Sequence, residues 1–201
     1  MSSNLSVLIT NYNHASYLDL CLSRITQQSL PAQEIIIIDD ASTDESVKII
    51  KNYCSTHKQI KFFQNKVNRG VIENQKRLLE LSSCKYVYWA SSDDYIDFNF
   101  FKITLNAIKK IKNSKIAFSY PSTLSDENIK VNKILNRYKK VTFFSPEKFS
   151  SLLRYKLNYL HINSVIFEKE AFRQAGAFVD KNLKGNYDMV VYHAIAFEYG
   201  I

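Results

Sequence analysis

Two adjacent aspartates, Asp93 and Asp94, end an apolar, aromatic run in the stretch YVYWASSDDYI at residues 86–96. Neighbouring carboxylates repel each other, and at the end of a buried strand they also lose hydration, so they need a cation or hydrogen-bond donors nearby. Mg²⁺ and Mn²⁺ prefer oxygen ligands, so this pair is suited to a divalent metal that also binds a diphosphate. The alternative is that the pair caps a helix, a common place for aspartate.

Polar residues also follow two other predicted strands. LSVLIT at 5–10 and the continuous β-branched run EIIIID at 34–39 both read as strands, and the second is typical of a strand buried on both faces of a parallel sheet. Open α/β sheets bind ligands beyond the carboxyl ends of their strands, so we expect all the polar clusters to converge on one crevice. The clusters are Thr10, Asn11 and Tyr12; Asp39 and Asp40; and Ser92, Asp93 and Asp94.

Strand and helix patterns alternate through residue 120, which predicts right-handed βαβ units and an α/β fold: an open, mostly parallel sheet flanked by helices. The second helix is predicted to open with a capping box formed by Ser42 and Glu45. Beyond residue 120 we expect a helix from Pro146, a strand and short helix ended by Gly176, and a last helix ended by Gly200.

The composition favours one domain over residues 1–201, because 46% hydrophobic residues suffice for a substantial core. Three widely spaced cysteines, without a C-x-x-C pair, favour reduced thiols in a cytosolic protein. The chain has no 18-residue apolar run, and its N-terminus lacks the features of a signal peptide. We therefore expect a cytoplasmic location.

The net charge of +8 is concentrated in one segment, Lys102 to Lys140, which holds ten lysines and arginines against Asp126 and Glu127. Such a segment is suited to an anionic membrane surface or a phosphorylated substrate, and the alternative is a solvated lysine-rich surface. Aromatic residues that would stack on bases are sparse there, which argues against a nucleic-acid partner.

Phosphate binding must use groups other than glycine-rich backbone, because neither G-x-G-x-x-G nor G-x-x-x-x-G-K-[ST] occurs. Instead, four blocks resemble the motifs of the family 2 glycosyltransferases: VLITNYNHASYLDLCLSRITQQSLPAQEIIIIDDASTDES, YVYWASSDDYI, NSVIFEKEAFRQAGAF and, less tightly, NRGVIENQKRLLE. The parts IIIIDDASTDES and SSDDY stand at the family's separation, which makes the resemblance specific. The resemblance covers roughly residues 4–200.

This resemblance implies a GT-A fold and transfer of a sugar from a nucleoside diphosphate donor, with inversion and with Mn²⁺ or Mg²⁺ as cofactor. Residues 1–120 would form the donor half and 121–201 the acceptor-side half. Tyr12 would stack on the base and Asp94 would hold the metal. The other implied contacts are Thr10 and Asn11 beside the base, Asp39 on the base edge with Asp40 following it, Arg69 at a phosphate, and Asp93 at the ribose or metal.

The sequence departs from the family's motif at the position of the general base. In the family it is an acid at the start of a late helix, where this chain reads Gly185-Asn186-Tyr187-Asp188. Asn186 cannot usefully accept a proton, so we expect Asp188 to be the base, with a helix N-cap as its alternative role. The chain ends at Ile201, where many relatives continue, which favours a shortened chain.

The sequence thus predicts an inverting, metal-dependent glycosyltransferase that uses a nucleotide sugar, with uridine the family's commonest base. The acceptor would be a saccharide or a lipid-linked glycan in surface polysaccharide synthesis, at the inner face of the membrane. Two alternatives stay open: a catalytically silent nucleotide-sugar-binding domain, favoured by Asn186, and a nucleotidyltransferase.

Overall fold

Strands and helices alternate along the first half of the chain, as the hydrophobic periodicity predicts. The computed structural model describes residues 3–94, 96–119, 123–125, 128–130, 142–154, 164–176, 178 and 187–201. The first strands are β1 (Leu5–Asn11), β2 (Glu34–Asp39), β3 (Ile60–Gln64) and β4 (Tyr86–Ser91), and the helices between and after them are α1 (Ala15–Thr26), α2 (Ser46–Thr56), α3 (Val71–Leu81) and α4 (Phe100–Lys110).

The elements described after α4 are shorter. They are β5 (Ile116–Phe118), the antiparallel pair β6 (Thr123–Ser125) and β7 (Asn128–Lys130), α5 (Pro146–Arg154), β8 (Val165–Glu168), α6 (Lys169–Gln174) and α7 (Tyr187–Tyr199).

Six strands form the main sheet, in the order β3-β2-β1-β4-β8-β5. Strands β1 to β4 pair in parallel, whereas β8 lies antiparallel between β4 and β5. The predicted α/β fold with a mostly parallel sheet is confirmed. The antiparallel insertion separates β5 from β4, so the last strand of the alternating series does not extend the parallel ladder.

Apolar layers cover both faces of the sheet, because side chains alternate between faces along each strand. On one face, Leu18 of α1, Ile50 of α2 and Phe101 of α4 share a buried cluster. On the other, Trp89 of β4, 2% exposed, shares a buried cluster with residues of α3, α6 and α7. Burial on both faces explains why β2 is apolar at four successive positions and buried along its whole length.

The predicted capping box at the second helix is wrong. Helix α2 begins at Ser46, and the side chain of its N-cap residue Glu45 makes no capping bond. The Glu45 carboxylate instead accepts a 2.8 Å bond from Lys48. The hydroxyl of Ser42 is bound to the turn after β1. Asp44 takes over the cap, since its Oδ1 accepts a 3.0 Å bond from the Ser46 backbone nitrogen.

The predicted boundaries in the second half are confirmed where they are described. Helix α5 begins at Pro146, and Gly176 and Gly200 follow α6 and α7 with φ of +87° and +72°. Left-handed backbone after a helix favours glycine, which explains both positions. Within the described part of the chain, no helix is long and apolar enough to cross a membrane.

Candidate functional site

The turns that follow β1, β2 and β4 meet at one edge of the sheet, as predicted. Parallel strands carry their carboxyl ends to the same edge, and side-chain hydrogen bonds then join the turns to one another. Asn11 joins the first turn to the second through Asp39, and His14 joins it to the third through Ser92. The convergence of the polar clusters is therefore confirmed.

Asp39 lies at the centre of the contact between the first two turns. Its side chain is fully buried, and its Oδ2 accepts a 2.9 Å bond from Asn11 Nδ2. Ser42 donates twice, from its backbone nitrogen to Oδ1 at 3.0 Å and from its hydroxyl to Oδ2. A carboxylate has about four lone-pair sites, so these three donors leave about one of them unused by the turns.

The same two turns contain strained backbone. Asn13 and Ala41 have φ of +54° and +64°, in the left-handed region that costs a residue with a β-carbon roughly 1 kcal/mol or more. Reciprocal bonds hold this geometry: the Asn13 backbone nitrogen donates to Ser42 Oγ at 2.9 Å, and Asn13 Oδ1 accepts from the Thr43 nitrogen at 2.8 Å. Strain held in this way is typical of functional loops.

Asp44 fixes the start of two helices at this edge. Besides capping α2, its Oδ2 accepts a 2.9 Å bond from the backbone nitrogen of Ala15, the first residue of α1. These hydrogen bonds lower the pKa of Asp44 despite partial desolvation. One carboxylate thus sets the position of both helices beside the turns that carry the candidate ligand groups.

Asp40 is directed toward a fourth turn, the one before α3. Its Oδ1 accepts bonds of 2.8 Å from Asn65 Nδ2 and from the Arg69 backbone nitrogen, and its Oδ2 accepts a 2.9 Å bond from the Gly70 nitrogen. Burial alone would raise the pKa of Asp40, but these donors lower it. The carboxylate holds the backbone of Arg69, whose exposed guanidinium pairs with Glu73 at 2.7 Å.

Asp93 and Asp94 are exposed and follow a tightly held strand end. The carbonyl of Ser91 accepts a 3.2 Å bond from the buried thiol of Cys21 and a 3.4 Å bond from the Asp94 backbone nitrogen. Burial, with the negative charges of Asp94 and Asp93, raises the pKa of Cys21 to about 12. The thiol therefore stays neutral and acts as a donor beneath the carboxylate pair.

Ser92 lies between that strand end and the carboxylates, with only 2% of its surface exposed. Its hydroxyl oxygen is 2.7 Å from Nδ1 of His14, the residue directly before α1. Sequence reasoning assigned no role to His14, nor to Asn13 and Asp44. The available signal was their place in polar turns after predicted strands, but the partners of His14 and Asn13 are 78 and 29 to 30 residues away.

The structure describes the side chains of only some of the remaining residues that the sequence predicts at the site. The side chain of Tyr12 is 46% exposed at the crevice, and Thr10 is half-buried beside it. Asp188 is the second residue of α7, but its side chain lies outside the described part of the chain, as does Asn186. Much of the basic segment Lys102 to Lys140 is likewise outside it.

The chemistry of the described groups suits a metal shared with a ligand. Among the residues that the structure describes, no three His, Cys, Asp or Glu side chains cluster to hold a metal ion. Asp93 and Asp94 would supply two hard oxygen ligands, and a divalent cation there would need its other ligands from water or from a bound anion such as a diphosphate.

A family model described as Glycosyl transferase family 2 matches residues 6–177. Poly(ribitol-phosphate) beta-glucosyltransferase from Bacillus spizizenii is 28% identical over 147 residues, which are 65% of this chain and 23% of that protein. For three further curated relatives, the matched region is 27%, 37% and 41% of the relative's own length. The chain thus spans less than half the length of these relatives.

Two solved structures share the fold. S. aureus TarS 1-349 in complex with UDP has a TM-score of 0.72 at 20% identity, covering 98% of this chain and 56% of that one. The mannosyltransferase PcManGT from Pyrobaculum calidifontis, in complex with GDP-Man and Mn²⁺, has a TM-score of 0.68 at 17% identity, covering 98% of this chain and 53% of that one. The GT-A fold implied by the sequence motifs is confirmed.

Proposed function

The chain belongs to glycosyl transferase family 2, and from this premise we propose that it transfers a sugar, with inversion, from a nucleoside diphosphate sugar to a glycan or lipid-linked acceptor. The observation that carries the proposal is the position of the exposed pair Asp93 and Asp94, one hydrogen-bonded contact away from the turn that bears Tyr12. The two sets of groups suit the two ends of a nucleoside diphosphate.

The base would bind at the first two turns. Tyr12 offers an exposed ring for stacking, beside Thr10 and Asn11, and Asp39 retains about one acceptor site for an N–H of the base edge. An imide N–H such as that of uracil suits this acceptor. The UDP bound in the TarS structure supports uridine as the first choice.

The diphosphate would lie at the turn after β4. Asp94, with Asp93 as second ligand or as a ribose contact, would hold Mn²⁺ or Mg²⁺, and the Mn²⁺ in the PcManGT complex supports this cofactor. When bound, the metal supplies Lewis-acid stabilisation of the leaving diphosphate. The neutral thiol of Cys21 and the turn bonds of Ser91 keep the two carboxylates directed outward from the strand.

Arg69 is proposed as a further phosphate contact, positioned by Asp40. Its backbone is fixed by the bond to the Asp40 carboxylate, while its guanidinium pairs with the exposed Glu73, an interaction that water screens. A phosphate offers bidentate acceptors that compete well for such a guanidinium. Arg69→Gln should therefore weaken nucleotide binding about 3- to 10-fold, measured by calorimetry.

Asp188, at the start of α7, is proposed as the base that takes the proton from the acceptor hydroxyl. Asp188→Asn should keep nucleotide affinity and lower kcat by at least about 100-fold. An unchanged kcat would assign the proton transfer to another group.

The acceptor is proposed to be a surface polysaccharide or its lipid-linked precursor, supported by the relative named for poly(ribitol-phosphate). A location at the inner membrane face would bring the enzyme to such an acceptor, and the exposed lysines Lys102, Lys109 and Lys110 of α4 suit anionic lipid. Flotation with vesicles of phosphatidylglycerol and phosphatidylcholine checks this contact, and equal recovery with pure phosphatidylcholine would contradict it.

The decisive experiment is calorimetric titration with UDP, GDP and dTDP, each with Mn²⁺ and with EDTA. We expect one nucleotide to bind in a Mn²⁺-dependent manner, and Asp94→Ala to abolish that dependence. Glu80→Ala, which removes an exposed carboxylate near the end of α3, is the matched control and should bind normally. Absence of metal-dependent binding for all three nucleotides would contradict the proposed donor site.

A silent nucleotide-sugar-binding domain is the second candidate, because Asn186 stands where the family's motif has an acid. It predicts the same nucleotide binding but no release of UDP from UDP-sugars over a broad set of glycan acceptors. A nucleotidyltransferase would instead consume a nucleoside triphosphate and release pyrophosphate, which a coupled pyrophosphate assay detects.

A further inference from the structure

His14 is held in place on both its backbone and its ring. Its carbonyl accepts bonds of 3.0 Å from the backbone nitrogens of Tyr17 and Leu18, in the first turn of α1. Its imidazole is half-buried and meets the ring of Tyr17 edge-on, with centroids 6.4 Å apart. The ring therefore presents Nδ1 to Ser92 from a fixed position.

Ser92 connects the His14 ring to the carboxylates of Asp93 and Asp94. It is almost fully buried, whereas Asp93 and Asp94, which follow it directly, are exposed. The backbone on its other side is fixed by the thiol of Cys21, which donates to the Ser91 carbonyl. The bond between His14 and Ser92 lies between this anchor and the carboxylate pair.

We propose that His14 is a positioning residue for the candidate metal site: its imidazole, bound to the hydroxyl of Ser92, holds the turn so that Asp93 and Asp94 share one cation. The inference rests on the proposed function, since it needs a metal-bound nucleotide to position. It also links the base-binding turn to the metal-binding turn, because Tyr12 and His14 belong to the same turn after β1.

A residue that only stabilises the fold would affect nucleotide binding with and without metal alike. Loss of a positioning residue should weaken only the metal-dependent part of nucleotide binding, because Tyr12 and the turn after β2 do not need Ser92 to bind the base. The discriminating quantity is therefore the ratio of UDP affinity in Mn²⁺ to UDP affinity in EDTA.

Two substitutions at His14 separate the hydrogen bond from the ring. His14→Phe keeps a ring against Tyr17 and loses Nδ1, while His14→Asn loses the ring and keeps a polar atom near the δ position. A single hydrogen bond corresponds to about a 3- to 10-fold change in affinity. We expect His14→Phe to lower the Mn²⁺-dependent affinity for UDP by this factor, and His14→Asn to restore it to within about twofold of the unaltered chain.

Ser92→Ala completes a double-mutant cycle in which His14→Phe combined with Ser92→Ala should bind no more weakly than either single variant. Additive losses, equal losses in Mn²⁺ and EDTA, or unchanged affinity in His14→Phe would each overturn the inference while leaving the donor site intact. Absence of Mn²⁺-dependent binding of UDP, GDP and dTDP alike in the unaltered chain would overturn the proposed function and this inference together.

Discussion

The Oδ2 atom of Asp40 lies 2.9 Å from the backbone nitrogen of Gly70, thirty residues further along the chain. With Oδ1 bound to Asn65 and to the Arg69 nitrogen, one carboxylate joins the end of β2 to the turn before α3. Asp40 thus links β2 to the turn before α3, whereas its neighbour Asp39 is bound to Asn11, next to Tyr12.

Asp40→Ala should destabilise the fold by about 2 to 3 kcal/mol, because it removes the acceptor of the Arg69 N–H and one of the two acceptors of the Gly70 N–H and of the Asn65 amide. The free energy of unfolding in urea measures this loss. The hydrogen bonds lower the pKa of Asp40, so its contribution is present above the unfolded pKa and fades as the pH falls through the folded one.

Asn68→Ala is the matched control for Asp40→Ala. It removes a side-chain acceptor of the same Gly70 nitrogen, 3.1 Å away, at an exposed position. Water replaces such a bond, so we expect a loss below about 1 kcal/mol. Equal losses in the two variants would show that the turn, rather than the buried carboxylate, determines the stability.

Local patterns in the sequence predicted most of the fold and part of the site. The β-branched run of β2 and the helical spacing of Leu18, Cys21, Leu22 and Ile25 each encode their own burial, and both are observed. The convergence of Asp39, Asp93 and Tyr12 follows from parallel strands alone. The burial patterns depend on residues close together in the chain, and the convergence depends on the parallel order that the alternation of strands and helices predicts.

What local patterns could not supply is the pairing between distant segments. The insertion of β8 between β4 and β5 depends on contacts of Phe167 with Val87 and Ile116, far apart in sequence. The capping role of Asp44 competes with a local Ser42–Glu45 pattern, and the bonds that Ser42 Oγ accepts from Asn11 and Asn13, 31 and 29 residues away, prevail. The contact of His14 with Ser92 has no local signal.

The opposite edge of the sheet contains a buried carboxylate that gives the fold a defined pH dependence. Glu34 is 4% exposed and accepts bonds of 2.6 Å from the hydroxyl of Ser6 and from the Ser83 nitrogen, while Lys61 donates to it at 2.7 Å. Although burial opposes it, these donors lower the pKa of Glu34 to about 2 from an ordinary 4.5.

A carboxylate whose folded pKa is lowered stabilises the fold above its unfolded pKa and loses that contribution as the pH falls. Glu34 should therefore contribute on the order of 3 kcal/mol at neutral pH, lost between about pH 4.5 and pH 2. In Glu34→Gln this portion of the acid dependence should disappear, which urea unfolding measured from pH 7 to pH 2.5 would detect.

Glu45→Gln is the control for Glu34, because Glu45 forms an ion pair with Lys48 whose two side chains are 71% and 75% exposed. Such pairs contribute little, so its unfolding free energy should change by less than about 0.5 kcal/mol with no altered acid dependence. If Glu45→Gln flattened the pH profile as much as Glu34→Gln, the buried hydrogen bonds could not be its cause.

Gly200, at the end of α7, should be hard to replace without disturbing the packing of the second half. A β-carbon there would lie 2.5 Å from the Phe143 ring and 2.6 Å from the Phe144 carbonyl oxygen. Neither side can open freely, because Phe144 and Ile201 exchange backbone bonds of 2.8 and 3.0 Å. Gly200→Ala should therefore cost about 3 kcal/mol, from left-handed backbone and overpacking together.

A substitution at Phe143 separates the overpacking from the backbone strain in Gly200→Ala. Phe143 is 40% exposed, so its ring can be removed at small cost in stability. Phe143→Ala should recover part of the loss in Gly200→Ala, but the Phe144 carbonyl remains in the way, so recovery stays incomplete. Gly70→Ala is the contrast, since Gly70 has φ of +85° and no atom within 4 Å of an added β-carbon. Its cost is purely conformational, so Phe143→Ala should leave it unchanged. Thermal unfolding of the three single variants and the two double variants would reveal any departure from this pattern.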